Sequence, residues 1–272
     1  MSVTTFEKAG RRWRGGYAFF YLGFLYVPVL FLPLFSLNDS IYIALPLKDL
    51  TFKWYATLWT NEQMHAALGN SLKVAVTAAV LSTALAMFAA RAFTRYSFRG
   101  QRPVLGLVML PMVMPEIIVG VSLLVLFSQV GIGLGLHSVA VGHTLICLPF
   151  AVAVLMSRLE GFDKSLEEAS QDLGETGWMT FWRVTFPLVM PGIVASLLLT
   201  FTISFDEFII AFFLSSTEGT LPVFIWSQLR FPNKLPGTLA LGALILLSSF
   251  FVVALAEWVR RRGSGIGGQT PL

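Results

Sequence analysis

Asp163-Lys-Ser-Leu-Glu-Glu-Ala-Ser-Gln-Asp-Leu-Gly174, running on to Phe186-Pro-Leu-Val-Met-Pro-Gly192, is a polar segment set between two long apolar runs. Upstream, Ser138 to Met156 is almost uncharged; downstream, Leu188 to Leu214 carries only the acids Asp206 and Glu207. A soluble domain buries one such run at a time, so the surroundings decide what the segment joins. The 272 residues are 56% hydrophobic and 12% charged, with a mean hydropathy of +0.74. Those fractions depart from a soluble globular composition and predict an integral membrane protein.

Crossing roughly 30 Å of hydrocarbon takes about twenty apolar residues per helix. Six windows qualify: Tyr17 to Ser36, Leu68 to Ala90, Val104 to Phe127, Ser138 to Met156, Leu188 to Leu214 and Thr238 to Trp258. A transmembrane barrel needs shorter segments of alternating polarity, so the expected class is all-α, a polytopic protein of six transmembrane helices. Residues 1–272 are expected to make one membrane domain, with a loop over 158–187 between spans four and five. The first run exceeds the usual core of a cleaved signal, and no small-residue cleavage site follows it.

Basic residues fix the expected orientation, because Lys and Arg in short loops are retained inside. Lys8, Arg11, Arg12 and Arg14 precede span one; Arg91, Arg95, Arg99 and Arg102 lie between spans two and three; Arg260, Arg261 and Arg262 follow span six. Both termini and the 158–187 loop are therefore expected in the cytoplasm, with the loops from Leu37 to Ala67 and Ser215 to Gly237 outside. This bias accounts for the pI of about 9.4 without nucleic-acid binding. The single cysteine, Cys147, excludes an intrachain disulfide, and no Cys/His spacing suggests zinc.

Within the loop, the pattern predicts a helix from Asp163 to about Thr180. Asp163 stands as N-cap, acids follow in the first turn, and Leu166, Ala169 and Leu173 share a face. Gly174 and Gly177 break or bend it. Trp178, Phe181 and Trp182 add apolar surface suited to a protein partner. The competing reading is a helix lying in the headgroup region. Against it, Glu160, Asp163, Glu167, Glu168, Asp172 and Glu175 outnumber Arg158, Lys164 and Arg183, and anionic headgroups repel such a face.

The order Glu168-Ala169-Ser170, Gly174, then Val184-Thr185-Phe186-Pro187 resembles the EAA loop of binding-protein-dependent ABC importer permeases. Ser170, Val184 and Phe186 depart from that pattern conservatively. The likeness extends through Arg95-Tyr-Ser-Phe-Arg-Gly100, Met114-Pro-Glu-Ile117, Ser157-Arg-Leu-Glu-Gly-Phe162 and Phe201-Thr-Ile-Ser-Phe-Asp-Glu207, which look like the C-type permeases of the spermidine/putrescine group. The resemblance implies a type I ABC importer permease fold in the bacterial inner membrane. It also implies a second permease subunit, two ATP-binding subunits and a periplasmic binding protein as partners. ATPase coupling then falls to Glu168, Ala169, Ser170, Asp172, Gly174 and Pro187.

No G-x-x-x-x-G-K-[ST] loop occurs, so ATP and Mg²⁺ are expected on the partner and no cofactor on this chain. No catalytic constellation is apparent either: His65, His137 and His143 are scattered, and His143 reads as a packing residue. Ionisable groups within a bilayer are costly and mark function. Glu116 inside span three, and Asp206 and Glu207 near the middle of span five, are the pathway residues expected to favour a cationic cargo such as a di- or polyamine. Adjacent helical residues point about 100° apart, so Asp206 and Glu207 are expected to face different surroundings. Protonation of these acids, or pairing with the second permease, is the alternative. Pro111 and Pro115 predict a bend beside Glu116. Phe205 and Trp226 are aromatic candidates for cation–π contact with an amine, against an alternative role in packing. Trp54, Tyr55, Trp59 and Leu221 to Phe231 are expected to meet the binding protein. Other small organic cargo, such as an opine or amino-acid-like compound, is a second reading. An ion-coupled carrier or channel, or a membrane scaffold, belongs to competing classes.

Overall fold

A computed structural model describes the backbone of residues 3–263 and the side chains of residues 15–251 and 254. The side chains of Lys8, Arg11, Arg12, Arg14 and Arg260 to Arg262 lie outside the described residues. The chain runs α1 (Val3–Ser36), α2 (Lys53–Trp59), α3 (Glu62–Arg95), α4 (Gln101–Val113), α5 (Glu116–Val130), α6 (Leu136–Glu160), α7 (Ser165–Asp172), α8 (Gly177–Thr180), a π-helical turn (Phe181–Thr185), α9 (Phe186–Asp206), α10 (Ile209–Leu214), α11 (Leu221–Gln228), a 3₁₀ turn (Pro232–Lys234) and α12 (Leu235–Gly263). Among the described residues five stretches are long and apolar enough to cross a membrane, and the α4–α5 pair makes a sixth if counted as one.

That pair bears out the bend predicted beside Glu116, and makes it a full break in the third span. The helices meet at 105°, because Pro115 forces Met114 out of the α region to ψ 142°. The fifth span is corrected. It begins at Gly177 and its helix stops at Asp206, so Asp206 and Glu207 stand at a break between α9 and α10 rather than mid-helix.

Residues Glu62–Trp226 form one compact unit, built on α3, α6 and α9. The buried face of α3 is a small-residue stripe, Ser71, Ala75, Ala78, Ser82, Ala86 and Ala90, which lets neighbouring backbones approach closely where lipid offers no hydrophobic drive. On α9, Ser196, Thr200 and Ser204 recur every fourth residue and are buried. Ser196 bonds Thr83 of α3 at 3.0 Å, and Ser204 bonds Nδ1 of His143 on α6 at 2.8 Å. Cys147 Sγ reaches the Thr200 carbonyl at 3.5 Å. His143 is thus a buried packing residue with one ring nitrogen partnered, while its Nε2 has no hydrogen-bond partner.

The second unit combines the chain up to Asn61 with the chain from Ser227 onward, and in it α12 packs on α1 and α2. Trp54 and Tyr55 are tied inward here: Trp54 Nε1 donates to the Asn38 carbonyl at 2.9 Å and Tyr55 shares a 2.6 Å hydrogen bond with Ser36. Trp59 remains 84% exposed.

Candidate functional site

The loop helix is shorter than the sequence pattern predicts. α7 spans only Ser165–Asp172, and α8 restarts at Gly177. Asp163 acts one position before the cap, its Oδ1 accepting the Ser165 N–H at 3.0 Å; hydrogen bonds from Ser165 hold its carboxyl below the usual aspartate value. Gly174 takes φ +92°, the left-handed geometry that closes a helix C-terminus at little cost only for glycine. Its N–H donates to the Gln171 carbonyl at 2.8 Å, and the Glu175 N–H to Ser170 at 3.2 Å. Thr176 then caps α8 through Met179 N–H at 3.3 Å.

The inward side of α7 is polar. Glu167 is 8% exposed; its Oε2 accepts from Arg95 Nε at 3.2 Å and its Oε1 from Thr185 Oγ1 at 2.8 Å. Ser170, one turn on, bonds Thr180 at 3.2 Å. Glu167 therefore ties α7 both to the end of α3 and to the π-helical turn that leads into α9. Widened turns of this kind recur at functional sites, and this one places Thr185 under the loop. The sequence reading missed this role for Glu167; the Glu167, Ser170 spacing opposite an exposed Leu166, Ala169 stripe was the available signal.

Leu166, Glu168, Ala169, Asp172, Leu173 and Gly174 all face away from the chain, with Leu173 88% exposed. Pro187 is exposed at the start of α9. Trp178 and Trp182 are likewise exposed, but Phe181 is 3% exposed and packs with Ala86, Ala90 and Leu155 in the core. Phe181 is thus removed from the expected docking patch: it opens the π-helical turn after α8 and points inward, where Arg91 caps its ring at 4.8 Å.

The intramembrane acids gather at the two helix breaks. Glu116 opens α5, Glu207 precedes α10, and α5 packs against α10. Glycines make that packing possible. A Cβ on Gly142 of α6 would fall 2.6 Å from Ile210 and 2.8 Å from Leu214, and one on Gly120 of α5 would fall 2.8 Å from Phe213. Glu207 is 7% exposed and its Oε1 accepts the Ile210 N–H at 2.8 Å, satisfying an orphan donor of α10. Asp206 is exposed and joins none of the ion pairs found among the described residues. Glu116 is exposed too, close enough to Glu207 for the two carboxylates to interact. Among the described residues no group of three or more His, Cys, Asp or Glu side chains could hold a metal ion.

Trp226 lies on α11 rather than in an open loop. Its ring stands 5.4 Å from that of Phe208, which itself lies 5.5 Å from Phe212. Phe205 instead stacks on Phe201 of its own helix at 5.9 Å. The aromatic group nearest the α9–α10 break is therefore Phe208, Phe212 and Trp226, and Phe208 and Phe212 are its unanticipated members.

Comparison with known proteins agrees with this arrangement. Residues 82–264 match the family described as "Binding-protein-dependent transport system inner membrane component". The chain is 34% identical to the spermidine/putrescine transport system permease protein PotC of Shigella flexneri, over 95% of this chain and 98% of that protein. It is also 34% identical to the putrescine transport system permease protein PotI of Escherichia coli K12, over 88% and 90%. A chain from the crystal structure of a bacterial alginate ABC transporter, in complex with an alginate pentasaccharide-bound periplasmic protein, superposes with a TM-score of 0.73. It is 18% identical and covers 94% of this chain and 96% of that one, a likeness of fold. A broken third span, a loop helix offered outward and a family match across both place this chain among the binding-protein-dependent transport system inner membrane components, as a multi-pass ABC importer permease of the type I fold.

Proposed function

We propose that this permease is one of two membrane subunits forming a path for polyamines such as putrescine and spermidine into the cytoplasm. The names of its 34%-identical relatives support this cargo. The single structural observation that carries it is Asp206, an exposed acid at the α9–α10 break with no ion-pair partner among the described residues, two positions before Phe208, whose ring packs with those of Phe212 and Trp226. A fixed negative charge lowers the energy of a cationic amine in a low-dielectric path, and aromatic faces add cation–π attraction. Glu116 and Glu207 lie in the same region; Glu207 holds α10 in place. Phe205 lines the approach along α9.

ATP hydrolysis belongs to two separate nucleotide-binding subunits, with Mg²⁺ bound there. Each seats a loop helix in a groove. The outward face of α7, Glu168, Ala169, Asp172 and Leu173, is the surface offered. Closure of the ATPase pair pushes α7, and the Glu167 contacts carry that displacement into α3 and α9. The loop and both termini face the cytoplasm, and a periplasmic binding protein delivers cargo to the opposite side.

The test is ATPase activity of the complex reconstituted with its binding protein and given putrescine, spermidine or a neutral control. Stimulation by the amines alone supports both coupling and cargo. Stimulation by a different solute keeps the importer and rejects the polyamine. Transport by the purified chain alone rejects ATP coupling in favour of an ion-driven carrier.

A further inference from the structure

Where α3 ends beside α8, a cavity of about 450 Å³ is lined by Phe88, Arg91, Ala92, Tyr96, Gly177 and Trp178. The α3 members Phe88, Arg91 and Ala92 fall at i, i+3 and i+4, which is one helix face, and Tyr96 follows directly on the helix end. From Phe88 to the helix end at Arg95 the helix advances about 10 Å along its axis at 1.5 Å per residue, from within the apolar span to its polar end. Phe88, Tyr96 and Trp178 are 61%, 61% and 62% exposed, so three large exposed rings share the groove with one guanidinium, which itself stands over the Phe181 ring.

Arg91 has no acid to neutralise it. It joins none of the ion pairs found among the described residues. Its Nη2 makes one long hydrogen bond, 3.4 Å, to the Gly177 carbonyl, and its Nε has no partner. Arg95, one turn on, is paired with Glu167 and leaves no spare charge. Chemistry therefore changes along the groove from apolar at Phe88, to cationic at Arg91, to amphipathic at Tyr96 and Trp178. That sequence matches an anionic phospholipid read from acyl chain to phosphate to headgroup. Tyrosine and tryptophan prefer that interfacial depth, and basic pockets at helix ends on the membrane surface bind anionic headgroups.

We propose that this groove is a binding site for an anionic phospholipid, with Arg91 holding the phosphate diester, Phe88 the first acyl segment, and Tyr96 and Trp178 flanking the headgroup. An acidic protein side chain would satisfy Arg91 but would leave Phe88, deeper in the span, against nothing. The site requires only membrane insertion, which the family shows, and does not depend on the cargo or on ATP coupling. Because Gly177 opens α8 and Arg91 contacts its carbonyl, the bound lipid stands at the root of the loop.

The experiment is native mass spectrometry of the permease complex extracted from bilayers containing equal phosphatidylglycerol and phosphatidylcholine. The wild type should retain phosphatidylglycerol about fivefold over phosphatidylcholine, the preference expected from one interfacial cation. Arg91→Gln should bring the two to parity, and Arg91→Lys should restore most of the preference. Phe88→Gln, which keeps the charge, should weaken retention of both lipids. An unchanged phosphatidylglycerol preference in Arg91→Gln overturns the proposal. So does loss of the ATPase subunit from Arg91→Gln with lipid retention intact, which would assign the groove to a protein partner.

Discussion

Arg95 of α3 donates from Nε to Oε2 of Glu167 on α7 across 3.2 Å, and both side chains are nearly sealed from solvent, at 7% and 11% exposure. With Thr185 on the other carboxylate oxygen, the short loop helix is fastened to two membrane helices at one point. Removing one partner of a buried ion pair costs about 3–5 kcal/mol, because the survivor stays charged and unpaired. Glu167→Ala should therefore release the loop. Amide exchange across residues 165–185 should rise and ATPase subunit recovery should fall. The Glu167→Arg, Arg95→Glu exchange should recover part of both; protection unchanged in Glu167→Ala would reject the fastening role.

Glu168 is exposed on the other side, and its side chain has no hydrogen-bond or ion-pair partner among the described residues. Glu168→Lys should leave membrane insertion and melting temperature unchanged while reducing co-purified ATPase several-fold. Wild-type assembly and uptake in this variant would remove α7 from the coupling surface.

At Gly174 the backbone is left-handed, which costs an L-residue about 1–2 kcal/mol. Among the described residues, its chain neighbours aside, no atom stands within 4 Å of the position a Cβ would occupy, so the effect of Gly174→Ala is conformational. Uptake should fall with little loss of global stability, and Gly174→Asn, which tolerates this conformation better, should fall less.

Asp206 and Glu207 should separate by phenotype. Asp206→Asn should depress cationic uptake while the complex still assembles, since the side chain holds nothing in place. Glu207→Ala removes the acceptor for Ile210 N–H and should lower stability by about 1 kcal/mol, as the loss of a helix cap does. Thermal melting and uptake measured together on both variants decide this; wild-type uptake in Asp206→Asn would exclude a pathway role.

Gly142 has no room for a side chain. Its Cβ would lie 2.6 Å from Ile210 Cγ2 and 2.8 Å from Leu214 Cδ1, and overpacking of this kind costs about 1–3 kcal/mol. Gly142→Val should displace α10 and lower the melting temperature. A compensating Ile210→Ala change should restore part of the loss.

Orientation is open to direct chemistry. Arg99 is exposed on the α3–α4 connection, so a cysteine placed there should react with an impermeant maleimide only after permeabilisation. Labelling in intact cells would reverse the topology.

Much of this protein is legible without coordinates. Apolar run length alone marks the membrane helices, since the hydrocarbon thickness sets their size, and Ser36 ends the first helix where the run ends. The acid, glycine and proline of the loop stand out because their spacing carries the EAA-like pattern, and Pro115 predicts a bend from local sterics. What local pattern cannot supply is partnership across the chain. Arg95 and Glu167 are 72 residues apart, and both read as ordinary charges until α3 and α7 are brought together. Phe181 and Trp182 look equivalent in sequence, yet a π-helical turn buries one and leaves the other exposed. Asp206 and Glu207 likewise differ by one position and an entire environment, because the helix break between them turns Glu207 toward the start of α10 and leaves Asp206 open. Composition and spacing act through neighbours a few residues away, and so determine the class, the spans and the loop; which acid holds the structure and which is free to meet a cargo is decided by packing between distant helices.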